Sequence, residues 1–262
     1  MSVAPALSEV FERAVEEGER RLNQSLLELV SSGFIAGSTI VFGILAQVMV
    51  HGELRGEFGS LAAIAGELAF GIGVVFLVVG RSELFSENFF DPVATAVDRS
   101  GSWLVGPILR LWSVPFLLNL VGGVVFLAVL SVEGALPPET GVILREEAHA
   151  VVKRDTAVVL SDAFTGGALV TLLSYLLNAV ETVGERITLS YVVGFLLALG
   201  PFDHVIVTAL HVIFGIFVGA EVGLGRLAWL VVLVTAGNLV GGLGLVTLSH
   251  VAQAKGAGES EG

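Results

Sequence analysis

The 262-residue sequence contains no cysteine, and its 13 lysine and arginine residues are outnumbered by 25 aspartate and glutamate residues. The lack of cysteine excludes disulfide bonds and thiol chemistry, although it does not identify a cellular compartment. The sequence also lacks the basic footprint of a nucleic-acid-binding protein, so no nucleic acid partner is expected. Residues 1–25 are acidic and have no apolar core of the kind found in a cleavable signal peptide.

Apolar residues are abundant: 54% of the chain is hydrophobic, 15% is charged, and the mean hydropathy is +0.88. This balance is typical of a helical membrane protein with several spans, for which the lipid bilayer is the solvent. The alternating segments of a membrane β-barrel are absent. Two long apolar regions carry an interruption and four shorter runs do not, so we predict an all-α protein of six transmembrane helices, with the second and fifth broken; the regions are 29–50, 58–97, 111–132, 163–180, 187–220 and 227–249.

The segments that flank the spans predict three regions in the chain. Apolar positions at helical spacing in residues 1–25 indicate a short amphipathic helix, residues 26–253 form the transmembrane domain, and the Gly-rich residues 254–262 are expected to be a flexible tail. An even number of spans places both termini on one side of the membrane. A slight excess of arginine on that side favours cytoplasmic termini and location in the plasma or inner membrane.

The interruption in the fifth apolar region reads Gly200-Pro201-Phe202-Asp203-His204. A continuous helix from Ile187 to Ala220 would be roughly 50 Å long, whereas a bilayer core is about 30 Å thick. Pro201 cannot donate a backbone hydrogen bond, so we expect the helix to break there. An aspartate and a histidine at a break inside a membrane are costly, and such residues usually mark a transport site.

A short repeat relates the two halves of the chain. Residues 119–123 (Asn-Leu-Val-Gly-Gly) recur 119 positions later as residues 238–242, and the same offset places Leu84-Phe85 on Asp203-His204. The interruptions of the second and fifth apolar regions are therefore predicted to correspond. An odd number of spans in each half would give an inverted repeat, with halves at about 26–135 and 150–253.

The second interruption extends from Arg81 to Pro92 and contains good helix-capping residues at Ser86, Asn88 and Asp91. Within it, the hexapeptide Glu-Leu-Phe-Ser-Glu-Asn at 83–88 resembles the second-helix signature of the formate/nitrite transporter family. Two further elements are similar to that family, in the expected order over roughly residues 26–253. They are the Phe-Asp-His at 202–204 and the Gly-Asn-Leu-Val-Gly-Gly at 237–242.

The resemblance implies an aquaporin-like six-helix protomer in a homopentamer, with one pore per protomer that passes small monovalent weak-acid anions such as formate, nitrite or hydrosulfide. It implies that His204 is the central pore histidine and that Ser86 faces it. Leu84, Phe85 and Phe202 would form apolar constrictions, and Asn238 would be a polar wall residue. Supporting positions carried by the same motifs and by the repeat are Glu83, Asn88, Asp203 and Asn119.

Two departures from the family pattern leave the substrate open. Formate channels of the family usually carry asparagine four residues after the histidine, where this chain has Thr208, and asparagine in the fourth span, where this chain has Gly167. The resemblance therefore implies transport of a small anion without identifying which one, or whether the protein is a channel or an obligate symporter.

Elementary electrostatics favours proton-linked transport of such an anion. An isolated anion in an apolar pore is very costly. Half-helices that begin near Phe89 and Asp203 would direct their positive ends at the pore centre. A helix N-terminus disfavours imidazolium, so His204 is expected to be mostly neutral in the empty pore. An arriving anion favours protonation of His204, which could then donate a proton so that the anion crosses as its neutral acid.

Three other classes of function are weighed against this interpretation. A neutral-solute pore of the aquaporin type predicts Asn-Pro-Ala loops, and that tripeptide is absent. An intramembrane enzyme using Asp203, His204 and His211 would need a nucleophile or metal motif, which is also absent. A purely structural membrane protein does not explain two broken spans. We predict no enzymatic activity, no metal and no cofactor.

Overall fold

The computed structural model describes residues 5–99 and 103–261, and every regular element in that part of the chain is helical. Its α-helices are α1 (Leu7–Leu22), α2 (Leu26–Phe58), α3 (Ser60–Val79), α4 (Asp91–Asp98), α5 (Val105–Leu130), α6 (Pro138–Lys153), α7 (Thr156–Asn178), α8 (Val183–Leu199), α9 (Val205–Phe217), α10 (Leu224–Leu239) and α11 (Leu248–Glu261). A 3₁₀ turn covers Phe85–Phe89, and a π-helical stretch, Val240–Thr247, joins α10 to α11.

Five helices of the described residues are long and apolar enough to cross a membrane: α2, α3, α5, α7 and the continuous α10–α11 helix from Leu224 to Ala257. The sixth predicted region, 187–220, is divided between α8 and α9. With 17 and 13 residues, these helices are about 26 and 20 Å long, so neither reaches across a bilayer core alone. The count of six spans therefore stays a prediction that depends on pairing these two helices.

The helices pack by close backbone contact at glycines. Gly37 of α2 lies against the backbone of Asn119 in α5, and Gly167 of α7 lies against the backbone of Asn238 in α10. A Cβ atom at either glycine would overlap that backbone, so the helices can approach this closely only at glycine. The outward faces remain apolar, as the exposed Leu109, Leu117 and Val125 of α5 illustrate. Such a surface suits lipid or a neighbouring subunit.

The second half of the chain repeats the element order of the first, and it includes a helix that the hydropathy analysis did not count. Helices α1 to α5 are followed by α6 to α10, and both α1 and α6 contain 16 residues. α6 therefore occupies the place in the second half that α1 has in the first. Its charged residues, including Arg145 and Glu147, hide it from any search for apolar spans.

The flanking regions differ in part from expectation. The predicted amphipathic helix is α1, which buries Val10, Ala14 and Leu22. The tail predicted to be flexible is helical through Glu261, because the helix-forming alanine, glutamine and lysine residues at 252–257 continue the helix of the last span. The flexibility of this tail stays a prediction, and Gly262 lies outside the described residues.

Candidate functional site

A buried asparagine holds the irregular backbone of the first interruption. Asn119 of α5 accepts a hydrogen bond from the N–H of Phe85 through Oδ1 (3.0 Å). Its Nδ2 donates to the carbonyls of Glu83 (2.9 Å) and Gly33 (2.8 Å). Non-helical backbone inside a membrane protein needs such partners, because lipid supplies none. One side chain thus supplies hydrogen-bond partners for the backbone on both sides of Leu84.

Asn238 of α10 makes the same three contacts in the second half. Its Oδ1 accepts from the N–H of Val205 (2.9 Å), and its Nδ2 donates to the carbonyls of Asp203 (2.7 Å) and Ala163 (2.7 Å). Both asparagines are fully buried. This pair of amide clamps is the most detailed sign of the internal repeat.

The clamps correct the register of the repeat by one residue. They pair Glu83 with Asp203 and Phe85 with Val205, so Leu84 corresponds to His204. The sequence offset had instead placed Leu84-Phe85 on Asp203-His204. The physical reason is that 34 residues separate the clamped N–H from its asparagine in the first half and 33 in the second. The offset of 119 residues that relates Asn119 to Asn238 is therefore one residue too short at the interruptions, where Glu83 corresponds to Asp203.

The acidic residue of each interruption is held by the chain that precedes the first long helix of its half. Gln24 donates to Glu83 (2.9 Å), and Arg154 donates to Asp203 (2.7 Å) and to Asp162 (2.9 Å). The two halves thus use a neutral amide and a guanidinium at equivalent places. Arg154 was missed by the sequence analysis, although a charge beside the start of an apolar run was a usable signal.

A further arginine pair supports these holding residues. Arg110 donates to the carbonyls of Leu22 (3.1 Å) and Gln24 (2.7 Å), and Arg226 donates to those of Val152 (2.6 Å) and Arg154 (2.9 Å). Each arginine therefore ties the last helix of its half to the end of the short first helix. Both arginines were missed as well, because their partners lie more than 70 residues away.

His204 is the N-cap residue of α9 and is buried. Its Nδ1 accepts a hydrogen bond from the N–H of Val207 (3.4 Å), and its Nε2 contacts the hydroxyl of Ser86. Because Nδ1 is the acceptor, the neutral ring is assigned its proton on Nε2, and this N–H donates a hydrogen bond to the Ser86 hydroxyl. The structure thus brings together the two residues that the resemblance placed face to face.

Three cavities follow one another through the protein. The α1 vestibule has a volume of about 540 Å³ and is lined by α1, the first interruption, the end of α7 and the segment that leads into α8. The α6 vestibule has a volume of about 230 Å³ and is lined by residues of α6, α8 and α9. A pocket of about 10 Å³, the apolar constriction, shares Glu87 with the first and Leu197 and Val207 with the second. It is too small for more than about one water molecule.

The walls of the apolar constriction come from both halves of the chain. Apart from Glu87, its lining is entirely aliphatic: Ile40, Val74, Leu77, Leu84, Val170, Leu173, Val193, Leu197 and Val207. An ion that leaves either vestibule therefore meets a surface that offers no hydrogen bond except at Glu87.

The predicted site residues are divided between this pathway and its supports. Leu84 lines the apolar constriction, and Phe202, Asp203 and Thr208 line the α6 vestibule, where the Thr208 hydroxyl donates to Asp203 (3.3 Å). Phe85 does not line any of the three cavities.

The ring of Phe85 packs instead against Phe89 and Phe116, at centroid distances of 5.0 and 5.1 Å. The 3₁₀ turn that starts at Phe85 directs this ring into an aromatic cluster and leaves Leu84, in extended conformation, at the constriction. The predicted capping of the first half-helix is also not seen. α4 begins at Asp91 after Phe90, and Asp91 accepts hydrogen bonds from Asn178 and Ser174.

Asn88 stabilises this turn rather than a helix end. Its Nδ2 donates to the carbonyl of Leu84 (3.0 Å), its Oδ1 accepts from Arg21 (2.8 Å), and its carbonyl accepts from the Trp112 indole (2.7 Å). Because these three contacts come from the turn itself, α1 and α5, the turn is fixed from three directions.

The α1 vestibule is rich in paired charge. Arg21 lies within 2.9 Å of Glu17, 3.4 Å of Glu83 and 3.7 Å of Asp91, and Arg20 also pairs with Glu17. Burial by itself would raise the pKa of Glu17, but the hydrogen bonds and charges of the two arginines prevail and lower it to about 2. The acids and arginines of α1 thus neutralise one another.

Two arginines of the α1 vestibule are not neutralised by a neighbouring acid. Arg81 and Arg186 line the cavity, and neither forms an ion pair with a described residue. Arg81 adopts φ 53°, in the left-handed region, which is uncommon for a residue with a long side chain and is often found at functional sites. The vestibule therefore offers two guanidinium groups to a mobile anion.

The α6 vestibule contains a carboxylate shared by two histidines. Glu147 contacts His211 through one oxygen and His51 through the other, the latter at 3.3 Å. Burial on its own raises the pKa of Glu147, but the two histidines outweigh it and the pKa lies below its usual value. His211, which the sequence analysis considered only as part of an intramembrane enzyme, lines the vestibule and shares Glu147 with His51.

No group of three or more histidine and acidic side chains in the part of the chain that the structure describes is arranged to hold a metal ion.

The features described above define a class of protein. It is an integral membrane protein of repeated helices, in which two interruptions held by buried asparagines flank a narrow apolar path between charged vestibules.

Comparison with known proteins gives the family within that class. The profile described as formate/nitrite transporter matches residues 8–252, so the chain belongs to this family, as the resemblance indicated. Relatives include an inner membrane protein, YfdC, of Escherichia coli strain K12, 24% identical over 93% of this chain and 77% of that protein. An uncharacterized transporter, YrhG, of Bacillus subtilis strain 168 is 28% identical over 92% of this chain and 91% of that protein.

A formate channel, BtFdhC, of Bacillus thuringiensis is 25% identical over 93% of both chains. Among solved structures, an FNT family ion channel superposes with a TM-score of 0.79 at 18% identity, covering 93% of this chain and 98% of that one. A pentameric formate channel with formate bound gives a TM-score of 0.66 at 17% identity, covering 87% of this chain and 93% of that one. The family and these neighbours are channels and transporters rather than enzymes, and they support an anion channel or transporter function for this membrane protein.

Proposed function

We propose that the protein carries small monovalent weak-acid anions, such as formate, nitrite or hydrosulfide, together with a proton through the three successive cavities. The observation that carries this proposal is the apolar constriction between two charged vestibules. A bare anion would lose its hydration there without finding partners, whereas its neutral acid would not. The family and the formate channels among the relatives support the substrate class.

The α1 vestibule supplies the attraction that such a pathway needs. Arg81 and Arg186, unpaired among the described residues, raise the local concentration of anions at its mouth. Anions gathered there lie next to the apolar constriction, which they cross only after gaining a proton.

His204 is the proton relay of this proposal. Its Nε2–H meets the Ser86 hydroxyl, and Ser86 belongs to the same turn as the constriction residue Glu87. His204 would first take up a second proton at Nδ1, in place of the hydrogen bond from Val207. The imidazolium would then give its Nε2 proton to Ser86 while Ser86 passes its own proton on towards the pathway, and the ring would return to the neutral form. Thr208 is engaged with Asp203, so its hydroxyl is a wall group of the α6 vestibule rather than a free donor.

The proposed assembly is a homopentamer in the plasma or inner membrane with both termini in the cytoplasm. The pentameric neighbour and the apolar outer faces of the helices support the assembly. The arginines of α1 and of the α5 start support the orientation, since basic residues favour the cytoplasmic side.

The test is anion flux in proteoliposomes, with formate, nitrite, hydrosulfide and acetate each measured at about pH 5 and about pH 7.5. We expect His204→Ala to lower the flux at the higher pH by about tenfold or more and to weaken its pH dependence. His149→Ala is the matched control, because His149 lies on α6 and outside the three cavities. Unchanged flux and pH dependence in His204→Ala would refute the relay. A wild-type protein that passes none of the four anions would refute the substrate class.

A further inference from the structure

Glu87 is the group of the pathway to which the relay through His204 assigns no role. It is 4% exposed, and its carboxylate makes no hydrogen bond with a described residue. It lines both the α1 vestibule and the apolar constriction, and it is the one titratable side chain in the lining of the constriction. A buried, unpartnered carboxyl at that junction has access to water on one side and to aliphatic walls on the other.

The turn that carries Glu87 is rigid, so the position of the carboxyl is defined. The neighbouring Asn88 bonds to Leu84, Arg21 and Trp112, as described above, and the backbone carbonyl of Glu87 accepts from Arg21 at 3.5 Å. The contact of Ser86 with His204 anchors the other side of the same turn. The Cα of Glu87 is therefore held at the boundary between the α1 vestibule and the apolar constriction.

The charges around Glu87 do not compensate an ionised carboxyl well. From α1, Arg21 faces it but is already shared with Glu17, Glu83 and Asp91, and these acids add negative charge on the same side. The other charged groups of the vestibule lining are Arg13, Glu16 and Arg20 of α1, Arg81 of the first interruption, and Glu181 and Arg186 after α7. The elements packed against the other side of Glu87, α2, α3, α7, α8 and α9, present aliphatic residues to the constriction. Such surroundings favour a carboxyl that holds its proton until a better acceptor arrives.

We propose that Glu87 is the proton donor to the permeating anion at the α1 side of the apolar constriction. The anion approaches from the α1 vestibule, the O–H bond of the Glu87 carboxyl breaks, and the proton forms a new bond to the anion. The neutral acid then enters the constriction, and the carboxylate left behind takes up a proton from vestibule water. Until it does, its charge repels a second anion, so one proton accompanies each anion.

This inference rests on the proposed transport of weak-acid anions. It assigns different roles to Glu87 and to the pair of His204 and Ser86. His204 and Ser86 do not line the three cavities, whereas Glu87 meets the permeant directly. Glu87 is therefore the first donor for anions arriving from the α1 side, and the histidine relay acts deeper in the protein.

The experiment compares wild type, Glu87→Gln, Glu87→Asp and Glu12→Gln in proteoliposomes, recording anion uptake and internal pH together. The anion is formate or, if wild type does not pass formate, whichever of nitrite, hydrosulfide and acetate it passes, with the same outcomes expected. Glu12→Gln removes the same charge from an exposed position of α1 outside the cavities. At about pH 7.5 we expect Glu87→Gln to lower formate uptake and the coupled proton entry by about tenfold or more. At about pH 5, where neutral formic acid is more abundant in the medium, we expect a loss of less than about threefold. Glu87→Asp keeps a carboxyl and should recover part of the loss.

Each other result overturns the role of Glu87. Faster uptake by Glu87→Gln would make the carboxylate an electrostatic barrier, and an equal loss at both pH values, or in Glu87→Asp as well, would make it a structural residue. Uptake equal to that of Glu12→Gln would remove Glu87 from the pathway. A failure of the proposed function is distinguishable, because wild type would then take up none of formate, nitrite, hydrosulfide and acetate at either pH.

Discussion

Replacing Asn238 by alanine tests whether the amide clamps hold the interruptions. The variant leaves two buried backbone groups of the interruption without partners, the N–H of Val205 and the carbonyl of Asp203. The carbonyl of Ala163 loses its second hydrogen bond but stays inside helix α7. An unsatisfied buried group costs about 1–3 kcal/mol, so the full loss would be about 2–6 kcal/mol. Hydrogen bonds between helices of membrane proteins average only about 0.6 kcal/mol, because the unfolded chain finds other partners. The broken backbone has no helical alternative, and we therefore expect a destabilisation of at least about 2 kcal/mol.

Two further variants test whether the lost hydrogen bonds cause this destabilisation. Asn238→Asp keeps the acceptor for Val205 but loses both donors, so it should be nearly as unstable as Asn238→Ala. Asn119→Ala should cost a similar amount to Asn238→Ala, because Asn119 makes the equivalent three contacts. Thr235→Ala in the same helix is the control, since it removes only a hydrogen bond to the carbonyl of Val231 within α10.

The assay is equilibrium unfolding of the purified protein in mixed micelles, followed by helical circular dichroism. The reasoning would be refuted if Asn238→Ala were within about 1 kcal/mol of Thr235→Ala. It would also be refuted if the two asparagines differed several-fold, because the halves would then not use the clamp in the same way.

Two further predictions concern the charges of the α1 vestibule. Arg81→Gln and Arg186→Gln should each slow anion uptake several-fold at low ionic strength. At high salt the loss should be much smaller, because salt already screens the attraction between these arginines and the anion. An effect of the variants that does not depend on salt would contradict this. Glu17→Gln should lower the thermal stability near neutral pH, since the arginines lower the pKa of Glu17 from 4.5 to about 2 and the ion pairs exist above that range. As the pH falls from about 4.5 towards 2, wild type loses this stabilisation and the two melting curves should converge; a gap that persists below pH 2 would contradict the assignment.

Local features of the sequence were sufficient for the interruptions and for several of the residues around them. Proline at 201 and the charged hexapeptide at 83–88 act on the backbone within one helical turn, so their effect is readable without a structure. Asn119 and Asn238 were found because they repeat. Arg154 and Gln24 were not, because each acts on an acid more than 45 residues away and no periodicity connects the two.

Phe85 and Glu87 show the same limit within a single hexapeptide. The motif indicated that this stretch borders the pathway, but a 3₁₀ turn decides which of its side chains reach it. Phe85 joins an aromatic cluster, and Leu84 and Glu87 line the constriction. Residue order predicts a turn much better than it predicts the direction of each side chain in an irregular one.

By itself the sequence determined that this protein is a helical membrane protein with two paired interruptions and an anion-transporter ancestry, since hydropathy, proline and short motifs are local properties. Only the tertiary structure decided the register of the repeat, the place of α6 beside α1, and the position of Glu87 between vestibule and constriction. These depend on hydrogen bonds and packing between segments distant in the chain, which form only when both halves have folded against each other.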